Sequence, residues 1–187
     1  MKVIGITGTI GAGKKTVREI IQKKLNCYTV TLSDIIRAEI ERKKGTLDRT
    51  TLQNMGNELR RKYGSHILAM LAVEYMPKEK DFMVIDDIKN PGEIEYLKRK
   101  YGKDFKLIGV DANEKIRFER LLSRGSKGDP KTWEEFLEVD RRDKGFGEPA
   151  WGQQVNKCLE MVDFTILNEG SLEDLERKVE ETIKALQ

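Results

Sequence analysis

The stretch Lys2–Leu25, KVIGITGTIGAGKKTVREIIQKKL, constrains the fold of this chain more than any other. It opens with a short apolar run rich in β-branched residues, the pattern of a buried strand. It then passes through a cluster of glycines. Beyond them Val17, Ile20, Ile21 and Leu25 recur at helical spacing. Strand, glycine turn and helix in that order make half of a parallel βαβ unit. Gly8, Gly13 and Lys14 also match the phosphate-loop pattern G-x-x-x-x-G-K-[ST]. Glycines let several backbone N–H groups turn toward one anion, and the helix that follows adds its positive end. The lysine reaches the outer phosphates as a point charge. The pattern breaks at its last position, where Lys15 replaces the hydroxyl that usually faces Mg²⁺, and the threonine follows one residue late as Thr16.

The alternation continues along the chain. Strands are predicted at Lys2–Thr7, Cys27–Leu32, Asp81–Asp86, Phe105–Ala112 and Asp163–Asn168. Ser33 or Asp34 is placed to cap the helix after the second strand. A long helical stretch starts near Arg49, and Gly56 and Gly64 interrupt it. Pro91 opens one helix and Ser171 another, the latter with Glu173 and Asp174 in its first turn. The segment GFGEPAWG reads as an exposed, mobile loop. The expected fold is α/β in three layers: a five-stranded, mostly parallel sheet with helices on both faces and a small mobile lid. The whole chain, 1–187, is expected to form one domain, with helices over 33–75 binding the acceptor and the lid over 124–152. Ligands of such sheets bind at the carboxyl ends of the strands.

Composition narrows the function. Hydrophobic residues make up 38% and charged residues 36% of 187, with a net charge of +3. That balance predicts a soluble domain without the basic surplus of a nucleic-acid binder. No apolar run approaches the ~20 residues of a membrane span, and the N-terminus lacks a signal-peptide pattern, so a cytoplasmic location without membrane contact is expected. Cys27, Cys158 and the single His66 make no metal-ligand spacing. Free, partly buried thiols are the expectation.

Charged residues cluster where a ligand would lie. Asp86 ends an apolar strand, where a carboxylate orients Mg²⁺ or its waters, and Asp87 follows it. Asp34 and Arg37 are three apart and share a helix face, which also describes an ordinary surface ion pair. Arg117, Arg120 and Arg124 lie on one helix, and the last two share a face. Cations of this kind stabilise a transferring phosphoryl group. Arg141 and Arg142 are further donors in the lid segment. Asn168 and Gly170 end the last strand.

These motifs resemble the P-loop nucleotide-kinase superfamily over nearly the whole chain. GAGKKT is similar to the G-x-x-x-x-G-K-G-T loop of adenylate kinases, which also carries its threonine one place late. The resemblance implies that Gly8, Gly11, Ala12, Gly13, Lys14, Lys15 and Thr16 cradle ATP, with Mg²⁺ held largely through waters. SDIIR resembles the adenylate-kinase segment whose arginine holds the acceptor phosphate, which implies that role for Arg37. Lys89 stands where nucleoside monophosphate kinases carry an acceptor-gripping arginine. LQNMGNELRRKYG is similar to a segment of phage-type deoxynucleoside monophosphate kinases, which implies Gln53, Asn57, Arg60 and Arg61 at the acceptor. ILNEGSLEDL resembles the end of dephospho-CoA kinases, which implies Asn168 and Gly170 near the adenine. The chain departs from dephospho-CoA kinases in reading LSD for their D-A-D. The expected activity is ATP- and Mg²⁺-dependent phosphoryl transfer to a small nucleotide-like acceptor, a (deoxy)nucleoside monophosphate or dephospho-CoA. Lys14, Asp34, Asp86, Arg120 and Arg124 are the catalytic group, and Asp86 is the residue facing the metal. The alternative is a nucleotide-binding switch or assembly factor with weak ATPase activity and a macromolecular partner, which Lys15 and Lys89 keep open.

Overall fold

The structure, a computed structural model, describes residues 1–74, 80–126 and 128–186. Tyr75, the last residue of the expected acceptor region, and Lys127, inside the expected lid, lie outside the described residues. Five strands run β1 (Lys2–Gly8), β2 (Cys27–Thr31), β3 (Phe82–Ile88), β4 (Phe105–Asp111) and β5 (Phe164–Leu167). They form one sheet in the order β2-β3-β1-β4-β5, and all four pairings are parallel. Every crossover must therefore pass over a face, and helices fill both. On one face α1 (Lys14–Lys24) and α9 (Leu172–Leu186) bury Val17, Ile20, Ile21, Leu175 and Val179 against Ile4, Ile6, Val84 and Val110. On the other, α2 (Leu32–Arg42), α4 (Ile67–Glu74) and α5 (Pro91–Tyr101) pack on Val3, Met83, Ile85 and Leu107. A third, smaller cluster joins Ile10 to α6 (Glu114–Arg124) and α7 (Trp133–Lys144) through Leu121 and Phe136. The short α8 (Val155–Leu159) leads into β5.

The glycines of the long helical stretch act as expected, and two other local expectations need correction. The long helix from Arg49 divides into α3 (Arg49–Tyr63) and α4, because Gly64 adopts φ +99, outside helical geometry. Gly56 stays helical and instead lets α3 approach α2: a Cβ there would lie 3.1 Å from Ile36 Cδ1. Neither Ser33 nor Asp34 caps α2. The helix starts straight from β2 with Thr31 at its N-cap position, so both residues fall inside its first turn. The loop after α7, expected to be mobile, is tied down. Asn90 Nδ2 donates to the carbonyls of Ala150 and Gly152 at 2.9 and 2.7 Å.

A register slip at the carboxyl end of β3 shapes everything above the sheet. Gly5 pairs with Ile85, but Thr7 pairs with Ile88, so β3 carries one extra residue against β1. The bulge flips side-chain parity. Met83 and Ile85 point to the α2–α5 face, and after the slip Ile88 points there too. The extra residue lies within Asp86-Asp87, and Asp87 has φ +66.

A buried ion pair fixes the turn that follows. Arg60 Nε donates to Glu93 Oε1 at 2.8 Å, and both side chains are almost fully buried. Glu93 Oε2 accepts from the backbone N–H groups of Lys89 and Asn90, while Asn90 caps α5. Removing one partner strands a buried charge. We expect Arg60→Ala to destabilise the fold by about 3–5 kcal/mol in urea titration, and the Arg60→Met/Glu93→Leu pair to cost much less.

Candidate active site

The phosphate loop occupies the turn from β1 into α1, at the point where strand order reverses between β3 and β4. Gly8 has φ +148, and a Cβ there would meet the Val110 carbonyl at 2.0 Å. Gly13 ends the loop in left-handed geometry as the N-cap position of α1, and a Cβ there would lie 2.4 Å from Asn168 Nδ2. No other residue satisfies both conditions at either position. Asn168 Nδ2 donates to the Ala12 carbonyl at 2.8 Å, so the end of β5 braces the loop from behind. Arg117, fully buried, braces it from the side. Its guanidinium donates to the carbonyls of Ile10 and Ala112 and forks onto Asp140 of α7.

Lys14 folds back over the loop. Its Nζ donates to the Gly8 and Thr9 carbonyls at 2.8 and 3.0 Å. Burial pulls its pKa below the usual lysine value and Lys89 adds to this, while Asp87, Asp86 and Asp143 oppose it. Lys15 extends outward, 76% exposed, within 3.8 Å of Glu19.

Opposite the loop stand the residues of the β3 bulge. Asp86 is buried, accepts the Asp87 N–H at 2.6 Å and pairs with Arg18 of α1 at 3.4 Å. Arg18 also donates to the Thr31 hydroxyl. Burial and the neighbouring Asp87 push Asp86 up to about 6, against the pull of Lys14 and Arg18. Asp87 Oδ1 lies 3.9 Å from Lys14 Nζ and 3.9 Å from Lys89 Nζ. Lys89 continues to Asp143 of α7 at 3.1 Å, and Gln53 donates to the other Asp143 oxygen at 2.6 Å. Burial works against ionised Asp143, but Lys89, Arg49 and the two hydrogen bonds hold it below the usual carboxylate value. The result is a file of alternating charge, Lys14, Asp87, Lys89, Asp143, along one wall.

These residues line a cavity of about 760 Å³ that runs from the phosphate loop to the start of α3. It brings together most of the residues expected from sequence. Gly11, Gly13, Lys14, Lys15 and Thr16 line the loop end. Asp86 and Lys89 form the wall, Asp34 and Arg37 the rim, and Arg120 and Arg124 the far side. Asp34 and Arg37 pair at 3.8 Å near solvent. Arg124 forks onto Asp129 at 2.8 and 2.6 Å, and Arg49 reaches the same carboxylate at 3.3 Å. Nη1 of Arg120 is buried without a hydrogen-bond partner.

Other expected residues lie outside the lining. Gly8 and Ala12 sit beneath the loop, Asn168 braces it, and Gly170 is exposed on the surface. Gln53 is behind the wall on Asp143, Asn57 donates to Glu148, and Arg60 is held by Glu93. Gln53 and Arg60 are engaged in the packing of α3, Asn57 keeps a buried Oδ1 without a partner, and none of the three lines this cavity, where sequence placed them. Arg142 is likewise engaged, on Glu148, Gln53 and Asn54.

The carboxylates of Asp86 and Asp87 facing the loop suit a hard divalent cation, which takes oxygen ligands and keeps several waters. The donor set therefore fits Mg²⁺ held beside a nucleoside triphosphate.

A sequence model described as an AAA domain matches residues 7–137, from the end of β1 into α7. The UPF0200 protein of Methanocaldococcus jannaschii is 32% identical over 93% of this chain and 85% of its own length. A UPF0200/UPF0201 protein of Archaeoglobus fulgidus is 33% identical over all of this chain, which spans 56% of that relative. The chain belongs to the UPF0200 family and carries an AAA domain. Among solved structures, TT1252 from Thermus thermophilus matches with a TM-score of 0.63 and 22% identity, over 100% of this chain and 98% of that one. A shikimate kinase from Acinetobacter baumannii, solved with shikimate, matches with a TM-score of 0.59 and 15% identity, over 99% and 94%. At these identities the likeness is one of fold, that of the P-loop kinases.

In this UPF0200 protein, sequence reading passed over Arg18, Arg49, Asp129 and Asp143. Arg18 was within reach, since it lies four residues after Lys14 on the same face of α1. Asp143 gives no local signal, because only the packing of α7 carries it to Lys89, 54 positions away.

Asp86 gives a signed pH test. Its folded pKa lies above the ordinary carboxylate value of 3.8, so folding disfavours the ionised form. Below both values it costs nothing, and the cost grows as pH rises through the interval between them. We expect Asp86→Asn to stabilise the ligand-free protein by about 1–3 kcal/mol at neutral pH. Thermal melts should show that gain vanishing near about pH 4.

Proposed function

We propose that this protein is an ATP- and Mg²⁺-dependent kinase. It moves the γ-phosphoryl group to a small nucleotide-like acceptor, a (deoxy)nucleoside monophosphate or dephospho-CoA. The observation that carries the reading is one cavity lined by the phosphate loop, the carboxylate wall, Arg120 and Arg124. A plain nucleotide-binding switch has no need of Arg120 and Arg124 over the phosphates. Phosphoryl transfer does, because its catalysis is mostly positioning and charge stabilisation.

In this reading the loop amides and Lys14 hold the triphosphate. Lys14 need only swing from the Gly8 and Thr9 carbonyls to phosphate oxygens. Asp86 holds Mg²⁺, through water, with Arg18 keeping its carboxylate in place. Mg²⁺ held there would supply charge neutralisation at the phosphates. Arg120, with one nitrogen unpartnered, and Arg124 close on the transferring group. Asp34 and Arg37 meet the acceptor at the rim, and the segment 124–152 serves as the lid.

A second reading, an assembly factor with a macromolecular partner, has one observation in its favour. The Archaeoglobus fulgidus relative extends well beyond the aligned region, and its name joins two families. An ADP-release assay with Mg·ATP separates the two. We expect acceptor-stimulated turnover, reduced about 10²–10³-fold by Lys14→Ala. ATP binding with no acceptor stimulation would favour the assembly factor.

A further inference from the structure

Two demands compete for Arg124. The function proposed above needs its guanidinium at the transferring phosphoryl group. In the structure it forks onto Asp129 instead, Nε to Oδ2 at 2.8 Å and Nη2 to Oδ1 at 2.6 Å. A fork of two charge-assisted bonds is among the stronger ion-pair geometries. Asp129 is also buried, at 6% side-chain exposure, so simply withdrawing Arg124 would weaken the compensation of a buried charge. For Arg124 to serve a phosphate, something must take its place at Asp129.

Arg49, the first residue of α3, stands ready to do so. It comes from 80 positions away and gives Asp129 Oδ1 a single long bond from Nη2, at 3.3 Å. Its Nε is buried and has no hydrogen-bond partner. Half of its fork is therefore unused beside the carboxylate that Arg124 must leave.

We propose that Asp129 and Arg49 are positioning residues that hold and release Arg124. When a nucleoside triphosphate enters, Arg124 exchanges Asp129 for oxygens of the γ-phosphoryl group. Asp129 passes to Arg49, whose Nε completes a second fork. This rests on the kinase reading.

Three observations carry it. First, the exposures differ in the required sense. Arg124 is 50% exposed and has room to turn, whereas Arg49, at 21%, and Asp129 are held in place. All three line the cavity that Lys14 and the phosphate loop share, so the turn of Arg124 stays within one site. Second, the charges match. Two guanidiniums share one carboxylate, which leaves one positive charge in excess, and an entering phosphoryl group neutralises it. After the exchange each arginine has its own anion. Third, the contact of Asp129 with α3 does not depend on Arg124. The Asp129 N–H closes a turn onto the Ser126 carbonyl at 3.0 Å. Gly128, at φ +89, lays that turn against α3, where a Cβ would lie 3.3 Å from both Arg49 N and Asp48 Cα. The exchange thus needs only side chains to move. It also makes ligand binding strengthen the tie between this turn and α3.

Calorimetry on the full chain with Mg²⁺ tests this, using β,γ-imido ATP with ADP for comparison. Asp129→Asn removes the competitor for Arg124. We expect it to bind the imido analogue about tenfold more tightly, as for a wild type whose Arg124 is free about a tenth of the time. ADP lacks the γ-phosphoryl group, and its affinity should change by less than about twofold. Arg49→Gln should act with the opposite sign. It leaves Asp129 no second partner, so we expect the imido analogue to bind about tenfold more weakly, but within about twofold of the parent once Asp129 is already Asn. Asp129→Ser, which also removes the charge, serves the same cycle. An arginine that merely supported the fold, touched the ligand or acted through Asp143 would weaken binding equally in both backgrounds. Equal weakening, or an ADP gain as large as that of the imido analogue, overturns the inference and leaves the kinase reading standing. If neither wild type nor Asp129→Asn binds the imido analogue, the kinase reading falls and the inference with it.

Discussion

The pairing of β1 with β3 governs the site. β1 delivers the phosphate loop and β3 delivers the two aspartates, so their relative register sets the gap between phosphate and carboxylate. For most of its length the pairing is regular and buried on both faces. At its carboxyl end the one-residue slip against Thr7 turns a structural strand into a functional edge. Thr7 helps hold the slip, its hydroxyl donating to the Ile88 carbonyl at 2.8 Å. A slip at the other end of the strands would disturb the core, whereas here it ends against a cavity.

Buried charge then couples the parts that must act together. Arg117 joins the phosphate loop to α7 by bonding the Ile10 carbonyl and Asp140 at once, and Lys144 reaches the same aspartate at 2.7 Å. Asp143, one turn from Asp140, joins α7 to Lys89 and to α3 through Gln53. Asp129 joins α6 to α3 through Arg124 and Arg49. Helices that share no continuous apolar interface are thus tied across the cavity by ion pairs. Such pairs are geometrically exacting and strongly destabilising when half broken.

The elements of the fold were largely legible because each depends on local pattern. The β-branched run of β1, the spacing of Val17, Ile20 and Ile21, and Pro91 after Asn90 speak for themselves. The misreadings of the fold have two sources. α2 begins without a capping side chain because it follows β2 with no loop, and the loop after α7 is held by Asn90, which no local pattern reveals. The loop and strand-end residues named from sequence line one cavity because the sheet's geometry sends them to one edge. Gln53, Asn57 and Arg60 went astray because the same polar residues that would grip a ligand serve equally well to lock α3 against its neighbours.

The sequence by itself determined the strand–loop–helix unit, the parallel α/β architecture and the presence of a phosphate loop, since glycine conformation and apolar periodicity act over a few residues. Only the tertiary structure decided that Asp86 and Asp87 face the same cavity, that Lys89 is already neutralised by Asp143, and that Arg49 and Arg124 converge on Asp129. Strand register and ion pairing between distant helices depend on how whole elements pack, and no short stretch of chain encodes that.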